Sequence, residues 1–205
     1  MKSNCLSRVF HIGLSAMLLL LSGCTSLKLP PTGKTDFYKE TWEQRQHSLQ
    51  HIQNWNISGA FSITDQDKSV IASYTWRQHR DAYNIYIHSS LNLYTADIIG
   101  SSGSVLLRRA NGQQFSAKTP EQLMQKQLGW QLPISKLLYW VRGLPAPGRY
   151  QATLDRYSHL IYLEQAGWQV RFSNYVPISY MDLPRTLQLN NLALRIKIVV
   201  KRWGL

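Results

Sequence analysis

Residues 55–63 read Trp55-Asn56-Ile57-Ser58-Gly59-Ala60-Phe61-Ser62-Ile63. Apolar or small side chains fall on the odd positions and polar or small ones between them. That period of two fits an extended strand with one buried face and does not fit a helix. Asp65-Gln66-Asp67-Lys68 then supplies a turn, and the pattern resumes with Val70, Ala72, Tyr74 and Trp76 set against Ser69, Ser73 and Thr75. After a second turn at His79–Asp81 it continues through Tyr83, Ile85 and Ile87. Strands joined by connections this short are antiparallel neighbours, because a parallel pair needs a crossover of about a dozen residues.

Working outward, further strands are predicted over 94–99, 104–109 and 113–117, the last two joined at Asn111-Gly112, a strong hairpin turn. A helical break follows. Thr119-Pro120-Glu121-Gln122 offers a capping Thr, Pro at the first helical position and Gln in the capping-box position. Leu123, Met124 and Leu128 follow, and Gly129 ends the segment. A second short helix starts near Pro133, carries Leu137, Leu138, Trp140 and Val141, and stops at Gly143 and Pro145. Strands return over 150–155, 159–165, 168–175, 185–189 and 193–203. Upstream of all this, 36–52 reads as a helix capped by Asp36, with Trp42, Leu49 and Ile52 near one face. The expected fold is mainly β with α: a single curved antiparallel sheet with about three helices covering its concave face.

The N-terminus reads as a processing signal. Lys2 and Arg8 precede the apolar run Ile12–Leu21. That run is far short of the roughly 20 residues a membrane-spanning helix needs, and suits a signal-peptide core. Leu21-Ser22-Gly23-Cys24 follows and resembles the lipobox of bacterial lipoproteins, which makes Cys24 the acylated first residue of the mature chain. The expected organisation is a signal peptide over 1–23, a lipidated tether over 24–35 containing Pro30, Pro31 and Gly33, and a domain over 36–205. Cys5 leaves with the signal, so no intramolecular disulfide is expected. Thr25 stands where lipoproteins retained at the inner membrane of enterobacteria often carry Asp. By that resemblance the location is the outer membrane, lipid-anchored and facing the periplasm.

The chain carries 23 Lys and Arg against 11 Asp and Glu, a formal +12, with 7 Trp and 11 Tyr. Nucleic acid is excluded as a partner by the lipobox. The positive field suits an acidic protein partner or anionic lipid headgroups, with Arg108, Arg109, Lys197 and Lys201 as candidate contacts by charge. His47 and His51 have metal-ligand spacing on a helix, but Ser48 stands where a zinc peptidase carries Glu, so no metal site is expected. The carboxylates are dispersed in turns (Asp65, Asp67, Asp81, Asp155), and there is no Gly-x-Ser-x-Gly elbow or phosphate-binding Gly loop. No catalytic residue and no cofactor are expected.

What remains is an apolar face. An open curved sheet capped by a few short helices need not be filled by its own side chains. It can line a pocket for acyl chains with Phe61, Tyr74, Trp76, Ile85 and Ile87 from the strands and Leu137, Trp140 and Val141 from the second short helix. Between two strands, His88-Ser89-Ser90-Leu91-Asn92-Leu93 places Leu91 among polar turn residues. It either folds back onto the rim or forms an exposed apolar tip that touches membrane or partner.

Several segments carry a resemblance: Gly129-Trp130-Gln131-Leu132-Pro133, then Leu137, Trp140 and Gly143-Leu144-Pro145; Gly59-Ala60-Phe61 in the first strand; and Leu183-Pro184, 192–198 and Trp203 near the end. In this order they resemble the LolB family of outer-membrane lipoprotein receptors. The resemblance implies an unclosed β-barrel with three helices as a lid over a hydrophobic cavity. It implies a monomer that accepts acylated lipoproteins from a soluble, similarly folded periplasmic carrier (LolA-like) and inserts them into the inner leaflet of the outer membrane. It also assigns Leu91 to a loop that assists insertion. That loop is Ser89-Ser90-Leu91-Asn92 here, where the family commonly has Asn-Pro-Leu-Gly. Two other readings compete: a scaffold lipoprotein with a fully packed sheet, and a lipid-modifying hydrolase. An apolar cavity separates the first reading from the scaffold, and a Ser or His inside that cavity would favour the hydrolase.

Overall fold

The first two strands, β1 (Asn54–Asp65) and β2 (Lys68–His79), pair antiparallel with Ile57 opposite Trp76 and Ile63 opposite Val70. The alternation therefore puts one apolar set on one face with no slip in register. The structure is a computed structural model that describes residues 37–66, 68–89, 95–129 and 131–205. From β2 the chain meanders through β3 (Ala82–His88), β4 (Thr95–Ser101), β5 (Ser104–Arg109) and β6 (Gln114–Ala117). After two helices it forms β7 (Gln151–Leu154), β8 (Leu160–Gln165), β9 (Trp168–Ile178), β10 (Met181–Asn190) and β11 (Leu194–Gly204).

These strands make one sheet in the order β6-β5-β4-β3-β2-β1-β11-β10-β9-β8-β7. The last strand returns to pair with the first, so the two meanders join at the middle of the sheet. The edges β6 and β7 are not hydrogen-bonded to each other, and the result is an unclosed barrel. Both edges are only four residues long, which limits the backbone they leave open to another chain. The segment linking them holds α2 (Pro120–Leu128) and α3 (Ile134–Trp140), so the chain bridges the two free edges with helices. The remaining helix, α1 (Trp42–Gln50), precedes β1.

At the β1–β11 join the register shifts between Ser58 and Gly59, a bulge. A Cβ on Gly59 would lie 1.9 Å from the Val199 carbonyl oxygen, so only glycine lets the two strands approach there. Gly129 ends α2 at φ 75°, the left-handed conformation in which glycine is unstrained.

Two expectations need correction. The first helix begins at Trp42, not near Asp36, because Thr41 and Gln44 form a reciprocal capping box that fixes the start. The strand expected from Arg185 begins at Met181 and runs through Pro184. Proline is tolerated there because β10 pairs with β11 only from Thr186 onward.

Candidate functional site

The apolar face of the N-terminal meander surrounds a cavity of about 380 Å³. Its wall is built in cross-strand rows. One row runs Ile57, Trp76, Ile85, Ile98, Leu107 across five strands, and a second runs Tyr74, Ile87, Ala96. Phe61 with Ala72 and Ile198, then Ile63 with Val70 and Ile196, form two rows toward one end. The roof is Met124 of α2, Leu132, Ile134 and Leu137 of α3, and Val141. Ser89 is the one described lining residue without an apolar or aromatic side chain.

Of the residues singled out from the sequence, Phe61, Tyr74, Trp76, Ile85, Ile87, Leu137 and Val141 lie in this lining. Trp140 does not. It is fully buried on the other side of α3, where its indole Nε1 donates to Gln165 Oε1 at 2.9 Å. Helical spacing put Trp140 on an apolar face, but α3 is apolar on both sides, one toward the cavity and one toward β8. Cys24 and Leu91 lie outside the described residues.

Val70 is 47% exposed while lining the cavity, so the mouth opens at the β1–β2 turn. β3 ends at His88 and β4 begins at Thr95 at this same end of the sheet. The roof is clasped. α3 begins at Pro133 without a side-chain cap of its own. Instead Glu121 of α2 accepts hydrogen bonds from the Ser135 backbone N–H (2.8 Å) and hydroxyl (2.6 Å). A carboxylate placed there caps α3 and also suits the positive end of its dipole. Arg109 Nη2 donates to Gln127 Oε1 at 3.2 Å and ties β5 to α2, so this cation is engaged within the fold. Arg142 donates to the Leu49 and Ile52 carbonyls (3.2 and 2.8 Å), joining the end of α3 to the end of α1.

The Tyr74 hydroxyl in the cavity wall is buried with no hydrogen-bond partner, and burial raises the phenol above its ordinary pKa. No charged side chain stands among the described lining residues, so the wall presents aliphatic and aromatic surface to the cavity.

The sequence reading missed a second cluster. Asp182, fully buried, and Asp155 flank His159, with carboxylate oxygens 3.1 Å from Nε2 and 3.0 Å from Nδ1. The Tyr175 ring stacks on the imidazole at 4.1 Å, and the Arg45 guanidinium lies 5.6 Å from that ring and donates to the Asp182 carbonyl. Asp155 and His159 are four residues apart, but Arg45, Tyr175 and Asp182 come from distant parts of the chain. The N-terminal strap docks here: Phe37 packs on His159 and Tyr157, and Tyr38 N–H donates to Asp182 Oδ2 at 3.0 Å. Both imidazole nitrogens face carboxylates. Ser158 Oγ is spent on the Glu40 carbonyl, so the cluster acts as an anchor for the strap. His47 and His51 lie with rings 4.3 Å apart, and no group of three or more His, Cys, Asp or Glu able to hold a metal occurs among the described residues.

An open antiparallel half-barrel, roofed by two helices around an apolar cavity, defines a protein built to shelter hydrocarbon. Comparison with known proteins agrees. The family described as outer membrane lipoprotein LolB matches residues 53–203. The outer-membrane lipoprotein LolB of Coxiella burnetii (strain RSA 493) is 53% identical over 95% of this chain and 92% of its own length. Those of Pseudomonas savastanoi and Nitrosococcus oceani are 37% and 34% identical, over 94% and 92% of this chain and 95% and 94% of theirs. The chain belongs to the LolB family of outer-membrane lipoproteins. Among solved structures, a LolA superfamily protein from Nitrosomonas europaea superposes with a TM-score of 0.55 at 10% identity, covering 81% of this chain and 94% of that one. A lipoprotein-sorting protein domain from Vibrio parahaemolyticus gives 0.55 at 7%, covering 80% and 90%. These two share the fold.

Proposed function

We propose that this protein, anchored through acylated Cys24 and facing the periplasm, accepts lipoproteins from a LolA-like carrier and passes them to the inner leaflet of the outer membrane. The observation that carries the reading is the cavity. Emptying a packed core costs about 24 cal/mol per Å³, so filling a space of this size is worth on the order of 9 kcal/mol, comparable to the whole stability of a domain. A scaffold protein selected only for stability would have filled it. Its size also falls in the range of roughly 300–1,000 Å³ typical of small-molecule sites.

The physics of delivery follows from the chemistry of the cargo. Each methylene resists water by about 0.8 kcal/mol, so a long acyl chain resists crossing the periplasm by roughly ten kcal/mol. An apolar cavity removes that barrier. Transfer then runs from carrier to receptor to bilayer on differences in affinity alone, with neither catalysis nor nucleotide. Phe61, Tyr74, Trp76, Ile85, Ile87, Leu137 and Val141 hold the chains in this reading, and Leu91 assists their insertion.

The test is transfer. Carrier loaded with an acylated lipoprotein is mixed with the tagged mature chain without nucleotide, and the lipoprotein is followed by pull-down. Movement onto this chain supports the reading. Retention on the carrier, together with no uptake of a fluorescent fatty acid, sinks it and restores the scaffold.

A further inference from the structure

The mouth end of the sheet carries an exposed apolar tip among the described residues. Leu192, in the β10–β11 turn, is 109% exposed, as open as a side chain can be. The turn that presents it is held rigid. Asn191 Oδ1 accepts from the backbone N–H groups of Ala193 (2.9 Å) and Leu194 (2.7 Å), and Asn191 N–H donates to the Leu194 carbonyl at 3.0 Å. The position is set by register. Leu194 pairs with Asp65 at the end of β1, so this turn stands beside the β1–β2 turn at the cavity mouth. On the outer face of that neighbouring hairpin Ile71 is 70% exposed. Ile71 pairs with Ser62, and Ser62 with Lys197, so a cation lies in the same cross-strand row. Arg195 and Lys68, both exposed, flank the turns themselves.

We propose that Leu192 and Ile71, with Lys68, Arg195 and Lys197 behind them, form a second contact with the phospholipid bilayer and hold the cavity mouth against the anionic leaflet during delivery. Apolar side chains flanked by Lys and Arg are the pattern that lies in a membrane interface, with the apolar groups in the acyl boundary and the cations among the headgroups. Cations set back from an apolar tip complement headgroup charge. The lipid anchor can reach. The strap docks at the opposite end of the sheet, where the Tyr38 hydroxyl donates to the Ser179 carbonyl. An eleven-residue strand such as β11 spans ~36 Å. The thirteen residues from Cys24 to Phe37 can extend ~43–47 Å. The inference rests on the delivery function proposed above and adds the surface that meets the membrane.

The experiment uses the mature acylated chain in vesicles of phosphatidylethanolamine and phosphatidylglycerol. Leu192→Cys, Ile71→Cys and Tyr180→Cys are each labelled with an environment-sensitive fluorophore. Tyr180, 68% exposed in the β9–β10 turn at the other end, is the reference. Labels at 192 and 71 are expected to shift blue and to be quenched by lipid-borne quenchers, while the label at 180 stays aqueous. Leu192→Asp is expected to slow cargo insertion into the vesicles roughly three- to tenfold, with acceptance from the carrier unchanged. Labels at 192 and 71 that stay as aqueous as the one at 180, or that shift only when carrier is added, overturn the proposal, the second outcome assigning the surface to the carrier. Loss of acceptance by the unsubstituted chain would instead refute the receptor reading, so the two failures are separable.

Discussion

The indole of Trp140 donates to the side-chain carbonyl of Gln165 at 2.9 Å, and the same oxygen accepts the Ala146 backbone N–H at 2.9 Å. Gln165 completes the arrangement by donating to the Ala146 carbonyl at 2.7 Å. One buried amide thus locks α3, the loop after it and β8 together, on the side of α3 that faces away from the cavity.

Replacing Gln165 by Leu leaves three buried polar groups unpaired. At about 1–3 kcal/mol for each stranded group, stability is expected to fall by several kcal/mol. Trp140→Phe removes one hydrogen bond and some buried volume, leaves Gln165 Oε1 paired with the Ala146 N–H, and costs about 1–3 kcal/mol. Urea unfolding measures both. Fatty-acid affinity of any Trp140→Phe protein that remains folded should equal that of the parent, and a tenfold loss would return Trp140 to the lining.

Filling the cavity separates binding from folding. Ala72, a small lining residue buried beside Phe61, has open space in front of it. Ala72→Leu is expected to leave stability unchanged or raise it by about 1 kcal/mol while lowering affinity for a fluorescent fatty acid at least roughly tenfold. A loss of stability with unchanged affinity would mean that this wall is packed and that the chains sit elsewhere.

The Glu121–Ser135 clasp predicts a kinetic effect. Glu121→Ala removes the cap of α3, costs about 1 kcal/mol, and frees the roof to lift. Release of a bound acyl chain in stopped flow should quicken by a few-fold, with the smaller change in the association rate. Unaltered release would show that the chain leaves through the mouth without movement of α2 against α3.

Alkaline pH should destabilise the protein. Burial, with Glu121 nearby, pushes the Tyr83 phenol up to about 12, and burial raises Tyr74 and Tyr175 as well. In the unfolded chain these groups ionise near pH 10. Between about 10 and 12 the unfolded state therefore holds fewer protons than the native one, and stability falls as pH rises. The Tyr83 hydroxyl has no hydrogen-bond partner, so Tyr83→Phe should change little at neutral pH and flatten the alkaline decline. Unfolding curves at pH 7, 10 and 11 decide it.

Much of the cavity wall was legible in the sequence because the strand period of two belongs to the backbone itself. Once Ile57 faces inward, Phe61 follows on β1, and pairing carries the same face to Trp76 and Ile85. The strand number and the two roof helices were legible too, from turns and caps. Trp140 was misplaced because helical spacing identifies an apolar side without saying which of two cores it meets. The start of α1 was misread at Asp36, although the Thr41–Gln44 capping box stands in the sequence. The Asp155–His159–Asp182 anchor was illegible, since only tertiary packing brings the strap and Asp182 of β10 to the β7–β8 turn that holds Asp155 and His159. Leu192 stood at the start of the last predicted strand, and its exposure follows from the turn that Asn191 closes.

The pairing of β1 with β11 has a consequence for how the molecule comes into being. Phe61 and Ile63 line the cavity beside Ile198 and Ile196, partners that lie far along the chain from them. Until that pairing forms β1 has an open edge and the wall behind it faces water, and contacts of such long sequence separation are slow to form. A nascent or truncated chain is a sticky sheet. The binding chamber exists only once β11 has paired with β1, and a chain cut short of β11 lacks part of its wall.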